Sequence, residues 1–289
     1  MLKMVLMPDT ESPKRFIKGI CAGIFPSGMP LAACFRQARN AGFDAVEISI
    51  GGEIRLDSPH EQLVRLSETA IKHRLSIATL WVSQPLSLSP LNSPDSAVRG
   101  HGVEAIRTAI EMANSLQCGA LLVVPGRVGA GARFEVPYET TWQRFTAELS
   151  KVIPAAENAN VILGIENVSN RFLVSPLEMR AFIDQFKSPR LRSHFDVGNV
   201  MYFGYPQDWI LTLGPRIQRV HVKDRKAVPG SDSAAVGLLG GDVDWKSVMA
   251  ALVKVGYRGF ISPEIANDPS DPGQLRKISE DLDKILSLA

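Results

Sequence analysis

The stretch VILGIEN at residues 161–167 is a short apolar run that ends in one acidic residue, Glu166, followed by an amide. A strand buried on both faces of a parallel sheet has this continuous apolar character. Three later runs share the pattern, and each carries one metal-binding side chain near its end: Asp196 in HFDVGN (194–199), His221 in VHVKD (220–224) and Glu264 in ISPEI (261–265). The pattern predicts buried parallel strands that deliver functional residues at their carboxyl ends.

Apolar runs alternate with helical patterns along the rest of the chain as well. Eight strand–helix pairs can be traced, from a first strand near residues 18–26 to a last helix with apolar residues at Leu275, Ile278, Leu282 and Ile285. Strict alternation of this kind is typical of α/β proteins. We therefore predict a single (β/α)8 TIM barrel, as one domain over residues 1–289. An open, doubly wound sheet is the alternative, but the GxGxxG turn of that fold is missing after the first strand.

Local signals place several helices and loops. SPLE at residues 175–178 matches a capping box with proline at the first helical position, and its helix is expected to bury Leu177, Phe182 and Phe186. Ser58 and Pro59 predict the start of another helix, with the serine as its N-cap. One helix is expected over residues 138–158. Long loops that would set the substrate are expected at residues 83–95, 127–137 and 225–240.

Composition and charge exclude several classes of protein. The 289 residues carry 32 Lys and Arg against 30 Asp and Glu, so the net charge of +2 argues against a nucleic-acid or membrane surface. Cys21, Cys34 and Cys118 are odd in number and lack CxxC spacing, which predicts buried, reduced thiols. The first 15 residues show neither a signal peptide nor a membrane span, so a cytoplasmic location is expected.

The four strand-end residues form a candidate metal site. The carboxyl ends of all strands meet at one mouth of a barrel, and strands five to eight are neighbours there. Two Glu, one Asp and one His offer the oxygen and nitrogen ligands that Mn²⁺, Co²⁺, Mg²⁺ or Zn²⁺ accept. Any one of them alone could be a loop cap or an ion-pair partner. Four at successive strand ends favour a site for one divalent ion.

Three further residues flank this set and are candidates for substrate binding. Asn167 and Asn199 can orient carboxylates or contact substrate hydroxyls. Lys223 can hold an anionic group at the mouth, and its alternative is an ion pair with Asp224 or another acid.

Two residues on other strand positions have open roles. Glu47, near the end of the second strand, can bond a substrate hydroxyl or be a buried acid paired with Arg or Lys. His194 lies two residues before Asp196 and therefore points to the same face one layer deeper. We expect His194 to be a core or supporting residue rather than a ligand.

A divalent ion with two carboxylates suggests a reaction. An ion that bridges the carbonyl and adjacent hydroxyl of an α-hydroxyketone stabilises the enediolate formed when the C–H between them loses its proton. If one Glu removes the proton and a second returns it from the opposite face, the sugar is epimerised. If the proton returns to the neighbouring carbon, an aldose and a ketose are interconverted.

Taken together, the motifs resemble the xylose-isomerase-like barrel superfamily, and most closely its sugar-phosphate isomerase/epimerase group. That group contains L-ribulose-5-phosphate 3-epimerases and D-tagatose/D-psicose 3-epimerases. The likeness covers essentially the whole chain and rests on VILGIEN, HFDVGN, RVHVKD (219–224), GGDVDW (240–245) and GFISPE (259–264). It implies that one ion, usually Mn²⁺, is bound by Glu166, Asp196, His221 and Glu264. It also implies that Glu166 and Glu264 are the two catalytic bases.

Departures from the family pattern narrow the choice of substrate and of reaction. Asn199 stands where the epimerases of free sugars have a substrate-contacting His, and Ala227 stands where they have an Arg. Both differences favour a sugar phosphate. The nucleases of the superfamily bind three metal ions and show His-Pro-Gly at strand four, where this chain has Val124, Pro125 and Gly126. The missing His and the near-neutral charge exclude the nuclease interpretation.

We therefore predict a divalent-metal-dependent epimerase or isomerase of a ketose or ketose phosphate, in the first place a 3-epimerase. A homodimer or homotetramer is compatible with the family. One alternative is a lyase of the inosose-dehydratase kind on the same barrel. Another is a non-catalytic barrel that binds metal or sugar, which the presence of all four ligands and both bases argues against.

Overall fold

A computed structural model of the protein describes residues 15–129, 135–226 and 234–289. In this part of the chain, eight parallel strands close into a barrel, which confirms the predicted (β/α)8 fold. The expected lead-in at residues 1–14, the middle of the 127–137 loop and Ala227 in the 225–240 loop lie outside the described residues. The extent of the domain, residues 1–289, stays a prediction.

The strands are β1 Phe16–Cys21, β2 Ala45–Ser49, β3 Ser76–Trp81, β4 Ala120–Val123, β5 Ile162–Glu166, β6 Leu191–Asp196, β7 Ile217–Val222, β8 Asp224–Lys226, β9 Ala234–Val236 and β10 Gly259–Pro263. Around the barrel the order is β1-β10-β7-β6-β5-β4-β3-β2, and β8 and β9 form a separate antiparallel pair. The barrel closes because β1 pairs in parallel with both β10 and β2.

The helices are α1 Leu31–Asn40, α2 His60–Lys72, α3 Ser83–Leu88, α4 Ser96–Ser115, α5 Tyr138–Ser150, α6 Ile153–Ala159, α7 Pro176–Asp184, α8 Pro206–Leu213, α9 Trp245–Lys254 and α10 Gln274–Leu286. The longer ones bury one face against the barrel. In α10 the buried apolar residues Ile278, Leu282 and Ile285 recur at helical spacing. Among the described helices, none combines the length and apolar character that a bilayer crossing requires.

The helix starts agree with the sequence in part. Ser175 caps α7 by accepting a hydrogen bond from the Glu178 N–H at 3.2 Å, as the capping box predicts. Ser58 does not cap α2, because its hydroxyl accepts a hydrogen bond from the Arg55 N–H instead.

Leu177 of α7 is 59% exposed, although the sequence predicted that it would be buried. The buried Phe182 lies five positions further along, which places the two side chains about 140° apart around the helix.

Two segments differ from the predicted elements. The expected helix over residues 138–158 is two helices, α5 and α6, with the break before Pro154. Proline lacks the N–H that would continue the ladder and is placed instead in the first turn of α6. The expected loop at residues 83–95 begins with α3, which buries Pro85 and Leu86. Cys21, Cys34 and Cys118 are free and buried, as predicted.

Candidate metal centre

Four neighbouring strands bring the four predicted ligands to one mouth of the barrel. Glu166 and Asp196 are the last residues of β5 and β6, and the parallel register places Asp196 beside His221 of β7. Glu264 follows β10 directly, and its N–H continues the ladder by donating to the Val222 carbonyl at 3.0 Å. The arc runs in the barrel order β5, β6, β7, β10.

The side chains of these residues converge closely enough to share one ion. One ligand atom from each lies within 4.8 Å of the others. The carboxylate oxygens nearest to His221 Nδ1 are those of Glu166 (3.4 Å), Glu264 (3.6 Å) and Asp196 (3.9 Å).

The buried imidazole of His221 gives direct support for a bound cation. Its Nδ1 makes no hydrogen bond to a described residue. Oδ2 of Asp196 is also buried, and the ammonium of Lys223 lies 3.0 Å from it. Buried polar atoms without a partner are costly, so such atoms call for a ligand. Three carboxylates and one imidazole that point at each other therefore fit a divalent ion.

Burial and crowding disfavour the ionised forms of Glu166 and Asp196. Burial raises the pKa of Glu166 to about 7, and the nearby carboxylates of Glu264 and Asp196 act in the same direction. Burial also raises the pKa of Asp196, against the opposing charge of Lys223. A divalent cation would reverse this effect, because it favours the ionised form of every carboxylate that faces it.

Glu47 contacts the imidazole of His221 at Nε2, the ring nitrogen that faces away from the other three predicted ligands. Its Oε2 lies 3.1 Å from His221 Nε2 and accepts a hydrogen bond from Trp81 Nε1 at 2.9 Å. With its proton on Nε2, His221 donates to Glu47 and leaves Nδ1 free to bind an ion. A carboxylate behind a metal-binding His is a common arrangement that fixes the tautomer and the ring orientation.

The burial of Glu47 bears on its predicted role. Only 2% of the residue is exposed, its Oε2 contacts His221 and Trp81, and Nε2 of His194 lies 3.9 Å from the same oxygen. Burial disfavours its ionised form, but the charge of His221 and the hydrogen bond to it outweigh burial and lower the pKa of Glu47. This geometry favours an orienting role, and the sequence-based substrate contact stays a prediction.

His194 and Cys21 lie in the barrel interior beside the imidazole of His221. The ring centroids of His194 and His221 are 4.1 Å apart, and neither nitrogen of His194 makes a hydrogen bond to a described residue. Burial lowers the pKa of His194 and so favours the neutral ring. Cys21 Sγ is 3.6 Å from His221 Nε2, and burial raises the pKa of its thiol to about 12. Both residues therefore support His221 rather than join the four ligands.

The two asparagines clamp Asp196. The Asn167 side chain donates to the Asp196 carbonyl at 2.8 Å and accepts from the Asp196 N–H at 2.9 Å. The Asn199 N–H donates to Asp196 Oδ1 at 2.6 Å, and its amide donates to the Asn167 carbonyl at 3.0 Å. Both asparagines are buried. These bonds leave Oδ2 of Asp196 directed at the other ligands, while contact of either amide with a substrate stays a prediction.

Lys223 lies inside the ligand group. Its ammonium donates a hydrogen bond to Glu264 Oε2 and lies 3.0 Å from Asp196 Oδ2. The sequence left open an ion pair with Asp224 or another acid, and the observed partners, Asp196 and Glu264, are two of the four predicted ligands. A role in binding an anionic substrate stays a prediction.

Asp224 has a separate structural role that the sequence did not reveal. Its carboxylate accepts hydrogen bonds from the Val243 N–H at 3.2 Å and from Trp245 Nε1 at 3.1 Å, which ties β8 to the start of α9. A Cβ at Gly241 would lie 2.1 Å from Asp224 Oδ1. The GGDVDW motif therefore holds β8 against the start of α9, and the close approach at Gly241 leaves no room for a side chain.

Comparison with known proteins identifies what the chain is similar to. A family model described as xylose isomerase-like TIM barrel matches residues 35–287. An L-ribulose-5-phosphate 3-epimerase UlaE from Salmonella paratyphi C (strain RKS4594) is 28% identical over 84% of this chain and 86% of the relative. The UlaE protein from Escherichia coli O1:K1 / APEC is 27% identical over 88% of this chain and 91% of its own.

Solved structures agree on the fold. A D-tagatose 3-epimerase-like protein superimposes with a TM-score of 0.78 at 25% identity and covers 94% of this chain and 98% of its own. An L-ribulose 3-epimerase gives a TM-score of 0.76 at 22% identity, with 94% and 95% covered.

Proposed function

The chain belongs to the xylose isomerase-like TIM barrel family, and we propose that it is a divalent-metal-dependent epimerase or isomerase of a ketose or ketose phosphate, in the first place a 3-epimerase. The observation that carries the proposal is the arc of Glu166, Asp196, His221 and Glu264, together with the buried Nδ1 of His221, which makes no hydrogen bond to a described residue. The names of the relatives, L-ribulose-5-phosphate 3-epimerases, support the same reaction class.

The ion would be held by the three carboxylates and by Nδ1 of His221. When bound, it supplies positive charge that stabilises the enediolate oxygens of the substrate. Mn²⁺ is the ion we propose first, with Co²⁺, Mg²⁺ and Zn²⁺ as alternatives.

The positions of the two glutamates suit them to opposite faces of a substrate. Glu166 and Glu264 stand at the two ends of the arc, because β5 and β10 are separated by β6 and β7. One carboxylate removes the proton from C3 as a general base, and the other, carrying a proton, delivers it to the opposite face of the same carbon. The configuration at C3 is thereby inverted. Asp196 and His221, clamped by Asn167 and Glu47, do not move protons in this scheme.

A phosphorylated substrate is the first choice. Asn199, at the position where epimerases of free sugars have a substrate-contacting His, is buried and bonded to Asp196 and Asn167. Curated relatives named for a ketose phosphate support the same substrate class. Unphosphorylated ketoses are the alternative, because structurally similar proteins are named as D-psicose 3-epimerase and as D-tagatose 3-epimerase-like.

Single substitutions of the two glutamates test the proposed bases. Glu166→Gln and Glu264→Gln should each lower the rate of epimer formation about 10²–10⁴-fold at saturating Mn²⁺, because each removes one proton-transfer group. Turnover would be followed by NMR and bound metal by elemental analysis. The exposed Glu61 on α2 provides the matched control, and Glu61→Gln should have wild-type activity. A fully active Glu264→Gln variant would show that the two-base assignment is wrong.

Three other expectations stay predictions. They are the cytoplasmic location, assembly as a homodimer or homotetramer, and the absence of nucleic-acid and membrane partners.

Loss of water from an inosose, without epimer formation from any ketose, would support the dehydratase alternative.

A further inference from the structure

Lys223 is a positive charge placed among the carboxylates that would bind the ion. It follows β7 directly, and its ammonium bridges residues from the two flanking strands, Asp196 and Glu264. The side chain is 16% exposed, so this ion pair is largely shielded from solvent. Its Nζ contacts Oδ2 of Asp196 and Oε2 of Glu264, and both oxygens face His221 Nδ1 within 3.9 Å.

Two carboxylates face the ammonium of Lys223. Asp196 Oδ2 lies 3.0 Å from Nζ, and Glu264 Oε2 accepts a hydrogen bond from it. The lysine therefore offsets one of the three negative charges that converge at the mouth. A divalent ion at the same oxygens would be repelled by the ammonium and would compete with it for their lone pairs.

We infer that Lys223 is an internal counter-ion that holds the site together when no metal is bound and that competes with the metal for Asp196 and Glu264. The inference rests on the proposed function in one respect, namely that a divalent ion binds to these residues. It has two consequences of opposite sign. Removing the ammonium should destabilise the metal-free protein, because carboxylates are left unpaired, and it should strengthen metal binding. A lysine that only supports the fold would weaken both properties when removed.

Lys18 provides a matched control at a different place in the barrel. It is also a buried lysine in an ion pair, with a side chain that is 8% exposed and Nζ 2.7 Å from the exposed Asp283. It lies in β1 and its partner lies in α10, so neither contacts the four ligands.

The test compares Lys223→Met with Lys18→Met on protein stripped of metal. Mn²⁺ affinity would be measured by isothermal titration calorimetry, and stability of the metal-free forms by urea unfolding. Lys223→Met should bind Mn²⁺ about tenfold or more tightly than wild type and should unfold at lower urea. Lys18→Met should lose stability but keep the wild-type affinity. Lys223→Gln, which also removes the charge, should reproduce the tighter binding if the methionine variant folds poorly.

The outcomes separate this inference from the proposed function. If Mn²⁺ binds to wild type and to both Lys223 variants with equal affinity, or binds the variants more weakly, the counter-ion role is wrong and the metal centre stands. If wild type and variants bind none of the four candidate ions, the metal centre and the counter-ion role fall together.

Discussion

Glu47 is the side chain whose structural position changes the interpretation of the site most. It lies behind His221, with Oε2 3.1 Å from Nε2, and not among the four ligands. Trp81 donates to the same oxygen, so the carboxylate is fixed from two directions. The tautomer of His221, and with it the availability of Nδ1, therefore depends on Glu47.

Replacing this carboxylate should weaken metal binding. Glu47→Gln removes the charge behind His221 while keeping the side-chain shape, and Mn²⁺ affinity should fall about 10–100-fold. Calorimetric titration of the metal-free variant measures the change. Circular dichroism should show an intact fold. Wild-type affinity in this variant would rule out the orienting role of Glu47.

The sequence singled out four candidate ligands but not the contacts behind them. The candidates stand out because each lies at or beside the carboxyl end of a short apolar strand, and parallel strands have their carboxyl ends at one mouth. The bond between Glu47 and His221 joins residues 174 positions apart across the barrel interior. The bond of Lys223 to Asp196 and Glu264 depends in the same way on three strands meeting. Pattern alone does not specify which of several buried polar side chains face each other.

The segment that joins the β8–β9 pair to α9 depends on one close approach. Asp224 accepts hydrogen bonds from Val243 and Trp245, and Gly241 passes so near that a Cβ would lie 2.5 Å from the Arg225 carbonyl. Because backbone blocks that space, no side-chain rotation relieves the overlap.

Gly241→Ala should therefore destabilise the protein by about 1–3 kcal/mol. Urea unfolding gives the free energy of unfolding, and Trp245 fluorescence reports on the same region. Gly237 offers a control close by, since a Cβ there meets nothing within 4 Å. Equal stability of the Gly241→Ala and Gly237→Ala variants would contradict this view of the motif.

A buried acid, Glu148, lies where α4 packs against α5, and its contribution to stability depends on pH. Glu148 on α5 accepts a hydrogen bond from Arg99 Nε at 2.9 Å and pairs with Lys151. Burial disfavours its ionised form, but the hydrogen bonds from Lys151 and Arg99 outweigh burial and lower the pKa of Glu148. The folded-state pKa thus lies below the unfolded value of about 4.3. Its contribution to stability is fully present above that value and is lost as the pH falls through the folded-state pKa.

Glu148→Gln should cost about 1–2 kcal/mol of stability near neutral pH. The difference from wild type should shrink as the pH falls below about 4, because the wild-type carboxylate then becomes protonated. Urea unfolding over this pH range measures the difference. A constant difference at every pH would mean that ionisation of Glu148 does not contribute.

The order and type of most elements could be read from the sequence, while several boundaries could not. Periodic apolar patterns predicted the eight barrel strands and the outer helices. The break between α5 and α6 falls in a stretch whose apolar spacing continues across it, so only Pro154 marked the change. The helix α3 lies in a segment rich in Ser and Pro, and it forms because Pro85 and Leu86 are buried against the rest of the fold. Tertiary packing decides both cases.

The closed barrel is what turns four separate strand ends into one centre. Residues from 166 to 264 meet because β10 pairs with β7 on one side and with β1 on the other. The same closure places Glu47 and Cys21, from the first part of the chain, directly behind His221. The chemistry proposed for the second half of the chain therefore depends on the first half.

Hydrogen exchange at the substrate carbon tests the central claim most directly. The metal-loaded protein would be incubated in D₂O with ribulose 5-phosphate, xylulose 5-phosphate, fructose and tagatose, and followed by NMR. We predict deuterium at C3 together with the C3 epimer, the loss of both after removal of the metal by a chelator, and their recovery on addition of Mn²⁺. Absence of exchange from every one of these ketoses, with Mn²⁺, Co²⁺, Mg²⁺ or Zn²⁺ supplied, would contradict a metal-dependent 3-epimerase.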